Sequence, residues 1–500
     1  MSRSERRRVV AIGIDAAEPT LVRRLVDRGD LPVLKSLAAG GVWGPVVSPA
    51  PISSGAVWPS FLTGRPPAEH GLYGEWLWQP GAMGLVRTSW DHLRPFWRAD
   101  VGRGRTVTVL DVPFAPRLDQ PGCTEILDWG AHDFLKGRLE ASPASVERIV
   151  AEVGGVHPFA AGAVDAAGPH DHARLARVVA HCLAGVEQRG RLTRRLLADT
   201  APDLFLMVFT ELHRAGHLLW HTVDPSHPDH GAAGEWRGPG LPAVLQAIDR
   251  EIGHLRDVAG PEAVVVVFSL HGMRPARGAP AILQPLLEAR GLAVRKSWRD
   301  HSWPERAGRA LARVKRQLPG PAKRLYYRLL PRTITVPLAQ PSMPLPAYDW
   351  SRTTAISLPT DQHGWIRLNL RGREARGIVE PEEYEDRCQR VERVVRAARR
   401  ADGRPIARAV IRTADTAAAA AAMPLPDLVV HWDDATFDSP LRLADPPLAA
   451  PAVGLKYSGQ HAFEGFYLLR SPGGGSAHGG EPIAAERLHS LLHDAAGRAG

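Results

Sequence analysis

VVAIGID, Val9 to Asp15, is a run of apolar residues closed by an acid. A strand with one wet face would alternate apolar and polar positions. An unbroken run rich in Val and Ile is the pattern of a strand buried on both faces, as in a parallel sheet. DLFLMVF, Asp203 to Phe209, and AVVVVFS, Ala263 to Ser269, are built the same way. Helical patterns lie between them, at Thr20 to Ala38 and His172 to Leu197. This alternation predicts an α/β fold, a mostly parallel central sheet with helices on both faces. Each run leads into residues able to bind a metal: Asp15, then the segment Glu211 to His217, then His271. Ligands of open parallel sheets bind beyond the carboxyl ends of the strands. Three independent strands are therefore expected to deliver polar groups to one edge.

Outward from these runs, the sheet pattern resumes at GWIRLNL, Gly364 to Leu370, and at DLVVHW, Asp427 to Trp432. The Ala run Ala417 to Ala422 reads as a linker or helix end. Residues 290–332 are strongly basic, with Arg309, Arg313, Lys315, Arg316, Lys323 and Arg324, and are punctuated by Pro304, Pro319, Pro321 and Pro331. They predict an inserted helical cap or arm. It is either a solvated helical face or a surface that grips an anionic substrate or lipid headgroups. The expected organisation is a first part of the α/β core over 8–290, the basic insert over 291–345, the remainder of the core over 346–480 and a C-terminal helix over 481–500.

With 44% hydrophobic and 23% charged residues in 500, the chain has the composition of a folded protein rather than a disordered one. Its 48 Gly and 44 Pro predict many loops. A net charge of +9 suits an anionic substrate, a nucleic acid or a membrane surface. No recognised nucleic-acid module accompanies that charge, so no specific nucleic-acid partner is expected. Cys123, Cys182 and Cys388 are odd in number and far apart, which gives neither a disulfide framework nor a Cys-based zinc motif. They read as buried thiols in a reducing compartment. The apolar run after MSRSERRR is too short for a signal segment, and no window approaches the length of a membrane span. The expected location is cytoplasmic.

The chemistry begins with HRAGHLLWH, where His213, His217 and His221 fall at i, i+4 and i+8, along one face of a helix. Two imidazoles one turn apart can share a tetrahedral zinc. SLHGM places His271 just after the third buried strand, with Gly272 expected to permit a sharp turn. In PISSGAVWPSFLTGRPPAEHG, Ser53 and Ser54 precede a short apolar stretch that stops at Gly64. Either hydroxyl suits a helix cap. The same position suits a nucleophile, because free N–H groups and the helix dipole favour a phosphate there.

GIDAAEPTLVRRLVDRGDLPVLKSLAAGGVWG and SSGAVWPSFLTGRPPAEHG together resemble the start of the type I phosphodiesterase/nucleotide pyrophosphatase family of the alkaline phosphatase superfamily. WIRLNLRGREARGIVEPEEYE and SGQHAFEGF are similar to its C-terminal half. The resemblance spans roughly residues 8 to 290 and 346 to 475 and leaves out the basic insert. It implies an alkaline-phosphatase-like fold and a metal-dependent phosphoric ester hydrolase. The implied site holds two divalent ions, zinc or alternatively manganese, and a Ser or Thr nucleophile. The implied substrates are phosphate-ester small molecules or nucleotides. Carried onto this sequence, it makes Ser54 the nucleophile. Asp15 and His271 then share one metal with the Ser54 oxygen, and His217 and His461 hold the other.

Two positions depart from the family pattern. His213 stands where the family has the Asp of Asp-x-x-x-His, which gives a three-His set of His213, His217 and His461. Leu270 stands where the family has the Asp of Asp-His-Gly, and leucine cannot ligate. Glu211, His221, Asp128 and Asp133 are the residues available to replace it. The rival expectations are a one-metal hydrolase, a sulfate- or phosphonate-ester hydrolase on the same scaffold, and a degenerate, non-catalytic member that binds an anionic ligand.

Overall fold

The structure, a computed structural model, describes residues 7–497 except 131–138, 160–170, 232–235, 237, 297–346, 361, 435–439, 453–456 and 474–477. Asp133 and the basic segment from 297 to 346 lie outside the described residues.

The three runs of the sequence form adjacent parallel strands. Val9–Ile14 lies at the centre, between Val264–Ser269 and Leu204–Phe209. Val107–Leu110 and Cys123–Leu127 continue the parallel set. Glu464–Arg470 joins one side antiparallel, followed by Val42–Val47 and the short strands His478–Gly479 and Ile483–Ala484, and Glu140–Ser142 joins the other side antiparallel. Every residue of the three central strands is buried. Alternate side chains feed two separate cores. Val10, Ile12 and Ile14 pack into one, and Val9 and Ala11 into the other. A register slip of one residue would exchange the two sets, so burial on both faces fixes the pairing.

The helical pattern from Thr20 to Ala38 divides into two helices, Pro19–Arg28 and Pro32–Ala39. Gly29 takes the left-handed conformation at φ 84°, which ends the first, and Pro32 opens the second. His172–Thr200 is one long helix, Ala417–Ala422 is helical, and Leu488–Gly497 forms a helix after the short strand Ile483–Ala484. Among the described residues no helix is long and apolar enough to cross a membrane.

GWIRLNL and DLVVHW do not extend the central sheet. Gly364–Leu368 and Leu428–Trp432 pair with each other, and with Ala355–Leu358 and Ala407–Arg412, in a separate four-stranded antiparallel sheet with its own core. Gly364–Leu368 is nevertheless buried throughout. A continuous apolar run reports that both faces are covered. It does not report which sheet the strand joins.

Candidate active site

The loops that follow the central strands meet at one edge. Asp15 directly follows the first strand, and its N–H donates to Phe209 O at 2.9 Å. Ala16 then turns the chain at φ 60°. The Ser269 hydroxyl ties two of the loops together. It accepts from Ala17 N–H at 3.1 Å and donates to His271 O at 2.8 Å.

Gly272 is not in the left-handed region, contrary to the sharp turn expected of it. Its requirement is space, because a Cβ there would stand 3.0 Å from Glu18 Cα. The strand Gly459–His461 pairs with Met273–Pro275 and sets His461 opposite Met273. A Cβ on Gly459 would meet Gly216 O at 2.3 Å, so a glycine is what lets this strand rest against the helix Glu211–Leu219.

This apposition builds the donor cluster. His217 Nδ1 donates to Gly459 O at 2.8 Å, which leaves its Nε2 with the lone pair. That Nε2 lies 3.0 Å from His213 Nε2, and His461 Nε2 lies 3.1 Å from the same atom. On its other side, His213 Nδ1 is 2.8 Å from Asp15 Oδ2. Asp15 Oδ1 accepts from Trp58 Nε1 at 3.1 Å and faces His271 Nε2 at 3.5 Å. His271 Nδ1 donates to Gly272 O at 3.1 Å. Two groups suited to a metal ion result: His213, His217 and His461, and Asp15, His213 and His271. His213 belongs to both.

Burial, then repulsion from His271, His213 and His217, drives the His461 pKa well below the ordinary histidine value. The ring is thereby held neutral, the form that ligates metal. Two of the three imidazole spacings can be compared with a zinc site. Zinc–nitrogen bonds of about 2.0–2.1 Å in a tetrahedron separate the nitrogens by about 3.3 Å, close to the 3.0 and 3.1 Å found here.

The structure separates the two serines. Ser53 is the cap: its Oγ accepts from Gly55 N–H at 3.1 Å and donates to Tyr73 O. Ser54 is half-buried and begins the turn that continues into the helix Val57–Thr63. Trp58, whose indole reaches Asp15, lies four residues after Ser54, in the helix that follows the turn. The chain before Ser54 is held by two side chains of the second sheet and by His363, just before its strand Gly364–Leu368. His363 Nε2 donates to Ala50 O at 2.8 Å, His431 Nε2 to Pro51 O at 2.7 Å and Trp365 Nε1 to Ile52 O at 3.1 Å.

Two of the expected supporting residues, Glu211 and His221, point elsewhere. Glu211 is fully buried and pairs with Arg189 Nε at 2.9 Å and His157 Nε2 at 3.0 Å. His221 does not continue the helical face of His213 and His217, because the α-helix ends at Leu219 and a 3₁₀ turn follows. Its backbone N–H and Nδ1 both meet Ser458 Oγ, at 2.6 and 2.9 Å. Asp128 sits in a left-handed turn at φ 58° and belongs to neither metal-suited group.

Sequence reasoning missed Trp58, His363, His431 and Arg274. Only Trp58 carried a local signal, its i+4 spacing from Ser54. Arg274 pairs with Gln460, next to His461, and its guanidinium stands 4.1 Å over the Phe463 ring. Burial, then Arg277 and Arg408, lowers its pKa to about 10.

The chain matches the family described as type I phosphodiesterase / nucleotide pyrophosphatase over residues 9–437. No curated protein matches it. Among solved structures it is similar to phosphonoacetate hydrolase from Sinorhizobium meliloti 1021 in complex with phosphonoformate. That similarity has 16% identity and a TM-score of 0.50, and covers 98% of this chain and 96% of that one. It is also similar to human ectonucleotide pyrophosphatase / phosphodiesterase 5, with 10% identity, a TM-score of 0.46 and coverage of 97% and 94%. Through the family match over most of its length, the chain belongs to the type I phosphodiesterase / nucleotide pyrophosphatase family of phosphoester hydrolases.

Proposed function

We propose that this protein hydrolyses phosphate esters of small molecules or nucleotides at a metal centre, with Ser54 as the nucleophile. The observation that carries the reading is the convergence of His213, His217 and His461 Nε2 beside Asp15, which is bonded to the helix that Ser54 begins. A bound divalent ion, zinc by donor type with manganese as the alternative, would supply Lewis acidity toward the ester oxygens and the Ser54 hydroxyl. The three His would hold it and leave a fourth position open.

Ser54 Oγ forms a bond to phosphorus, the bond to the ester oxygen breaks, and the alcohol leaves with a proton. Water then cleaves the phosphoseryl bond and restores the hydroxyl, so one water is consumed in all. His363, His431 and Trp365 fix the backbone before Ser54, which orients the hydroxyl without touching substrate. Arg274 supplies a buried positive charge beside His461 that suits an anionic group of the substrate.

Hydrolysis of a generic aryl phosphodiester, compared with the monoester, the phosphonate ester and the sulfate ester, tests the reaction class. Ser54→Ala is expected to abolish turnover while the metal content stays the same. Undiminished turnover in that variant removes Ser54 from the mechanism. Absence of turnover on every ester in the wild type favours the non-catalytic reading.

A further inference from the structure

We propose that the centre is mononuclear, with one divalent ion on the Nε2 atoms of His213, His217 and His461, and with Asp15 orienting His213 rather than ligating. The inference rests on the metal dependence proposed above, and on nothing about turnover.

A neutral imidazole carries one N–H and one lone pair. His213 Nδ1 is 2.8 Å from Asp15 Oδ2, and a carboxylate oxygen can only accept, so Nδ1 holds the proton. The lone pair then lies on Nε2, which faces His217 and His461. The two metal-suited groups share this ring and therefore compete for it. One neutral His213 can serve the three-His group or the Asp15–His271 group, but not both.

Geometry adds to the conflict. Two-metal phosphoryl-transfer sites hold their ions about 3.5–4 Å apart. Ions bound to opposite nitrogens of one imidazole, each at about 2.0–2.1 Å from its nitrogen, are separated by the whole ring and exceed that spacing. The Asp15 side is also short of donors. Leu270, 1% exposed, stands where a second carboxylate would be required and packs in the apolar cluster that contains Trp58 and Phe268. Asp15 is instead surrounded by ring nitrogens, from His213, Trp58 and His271.

The result is a carboxylate–histidine–metal relay. The outer carboxylate fixes the tautomer and the angle of the ligating ring. His217 is set the same way by the Gly459 carbonyl. The substitution of His213 for a carboxylate and the presence of Leu270 then form one change: the imidazole takes the space and the partner of the second ion.

The test is metal stoichiometry. The purified chain is saturated with zinc, freed of excess and measured for zinc per protein by elemental analysis, with affinity read by chelator competition. One ion per chain is expected, and two per chain overturn the proposal, as does none. His217→Ala should lose the ion. His271→Gln should keep one; loss of an ion in that variant counts against the assignment. Asp15→Asn should keep one ion with affinity lower by about 10–100-fold, the usual effect of removing an outer-shell partner. Unchanged affinity in Asp15→Asn overturns the orienting role. If that variant does not fold, the wild-type count and His271→Gln still decide. No activity enters these readouts, so one bound ion without ester hydrolysis refutes the proposed function and leaves this inference standing. Two ions with Ser54-dependent hydrolysis do the reverse.

Discussion

Arg189→Leu should destabilise the protein by about 3–5 kcal/mol, because it strands two buried carboxylates. Arg189 is fully buried. Its Nη1 meets Asp111 Oδ2 at 2.6 Å, its Nε meets Glu211 Oε1 at 2.9 Å, and its Nη2 reaches Gly130 O and Thr210 Oγ1, each at 3.2 Å. Asp111 in turn accepts from the N–H groups of Trp129 and Gly130, and Glu211 opens the helix that carries His213 and His217.

A second route gives a similar magnitude. Burial alone would raise the Glu211 pKa, yet Arg189 and His157 bring it down from 4.5 to about 2. At roughly 1.4 kcal/mol per unit this is about 3 kcal/mol of linked stability. Because the folded-state value is the depressed one, that stability is present above pH 4.5 and is lost as pH falls through about 2. The gap between wild type and variant should therefore narrow by about 2 kcal/mol as pH falls from 7 toward 3. Urea unfolding followed by fluorescence of the 14 tryptophans measures both effects. In a Glu211→Gln background the same Arg189→Leu change should cost less. A cost below about 1 kcal/mol at pH 7, or a gap independent of pH, would refute the reasoning.

His363→Phe removes the donor to the Ala50 carbonyl and leaves that oxygen unsatisfied, at about 1–3 kcal/mol. Transmitted to Ser54, this should lower kcat by about tenfold or more with metal content intact; an unchanged kcat ends the claim that the second sheet positions the nucleophile. Arg274→Ala should raise KM for anionic substrates with kcat little changed, the pattern of lost uniform binding. Steady-state kinetics on a charged and a neutral aryl ester separate that outcome from a general loss of fold.

The sequence by itself determined the three central strands and their burial on both faces. A run such as VVAIGID can be stable only with both faces covered, and the acid that closes it then falls at the carboxyl edge of the sheet. The resemblance of motifs supplied Ser54, His217, His271 and His461, and the structure brings the three histidines to one place with Asp15 and His213. Tertiary structure decided what spacing cannot express. Periodicity reports how many faces of a strand are covered and not its neighbour, so Gly364–Leu368 and Leu428–Trp432 read like central strands and formed a second sheet. Helical spacing places a ring on a face but does not say which nitrogen points where, or where the helix stops. His221 therefore turned to Ser458, and Glu211 went to Arg189. The side chains that hold the Ser54 loop come from more than 300 residues away in the chain, at His363, Trp365 and His431. The position of His213 between Asp15 and two imidazoles depends on the contact of Gly216 with Gly459, a distance that no local pattern of residues encodes.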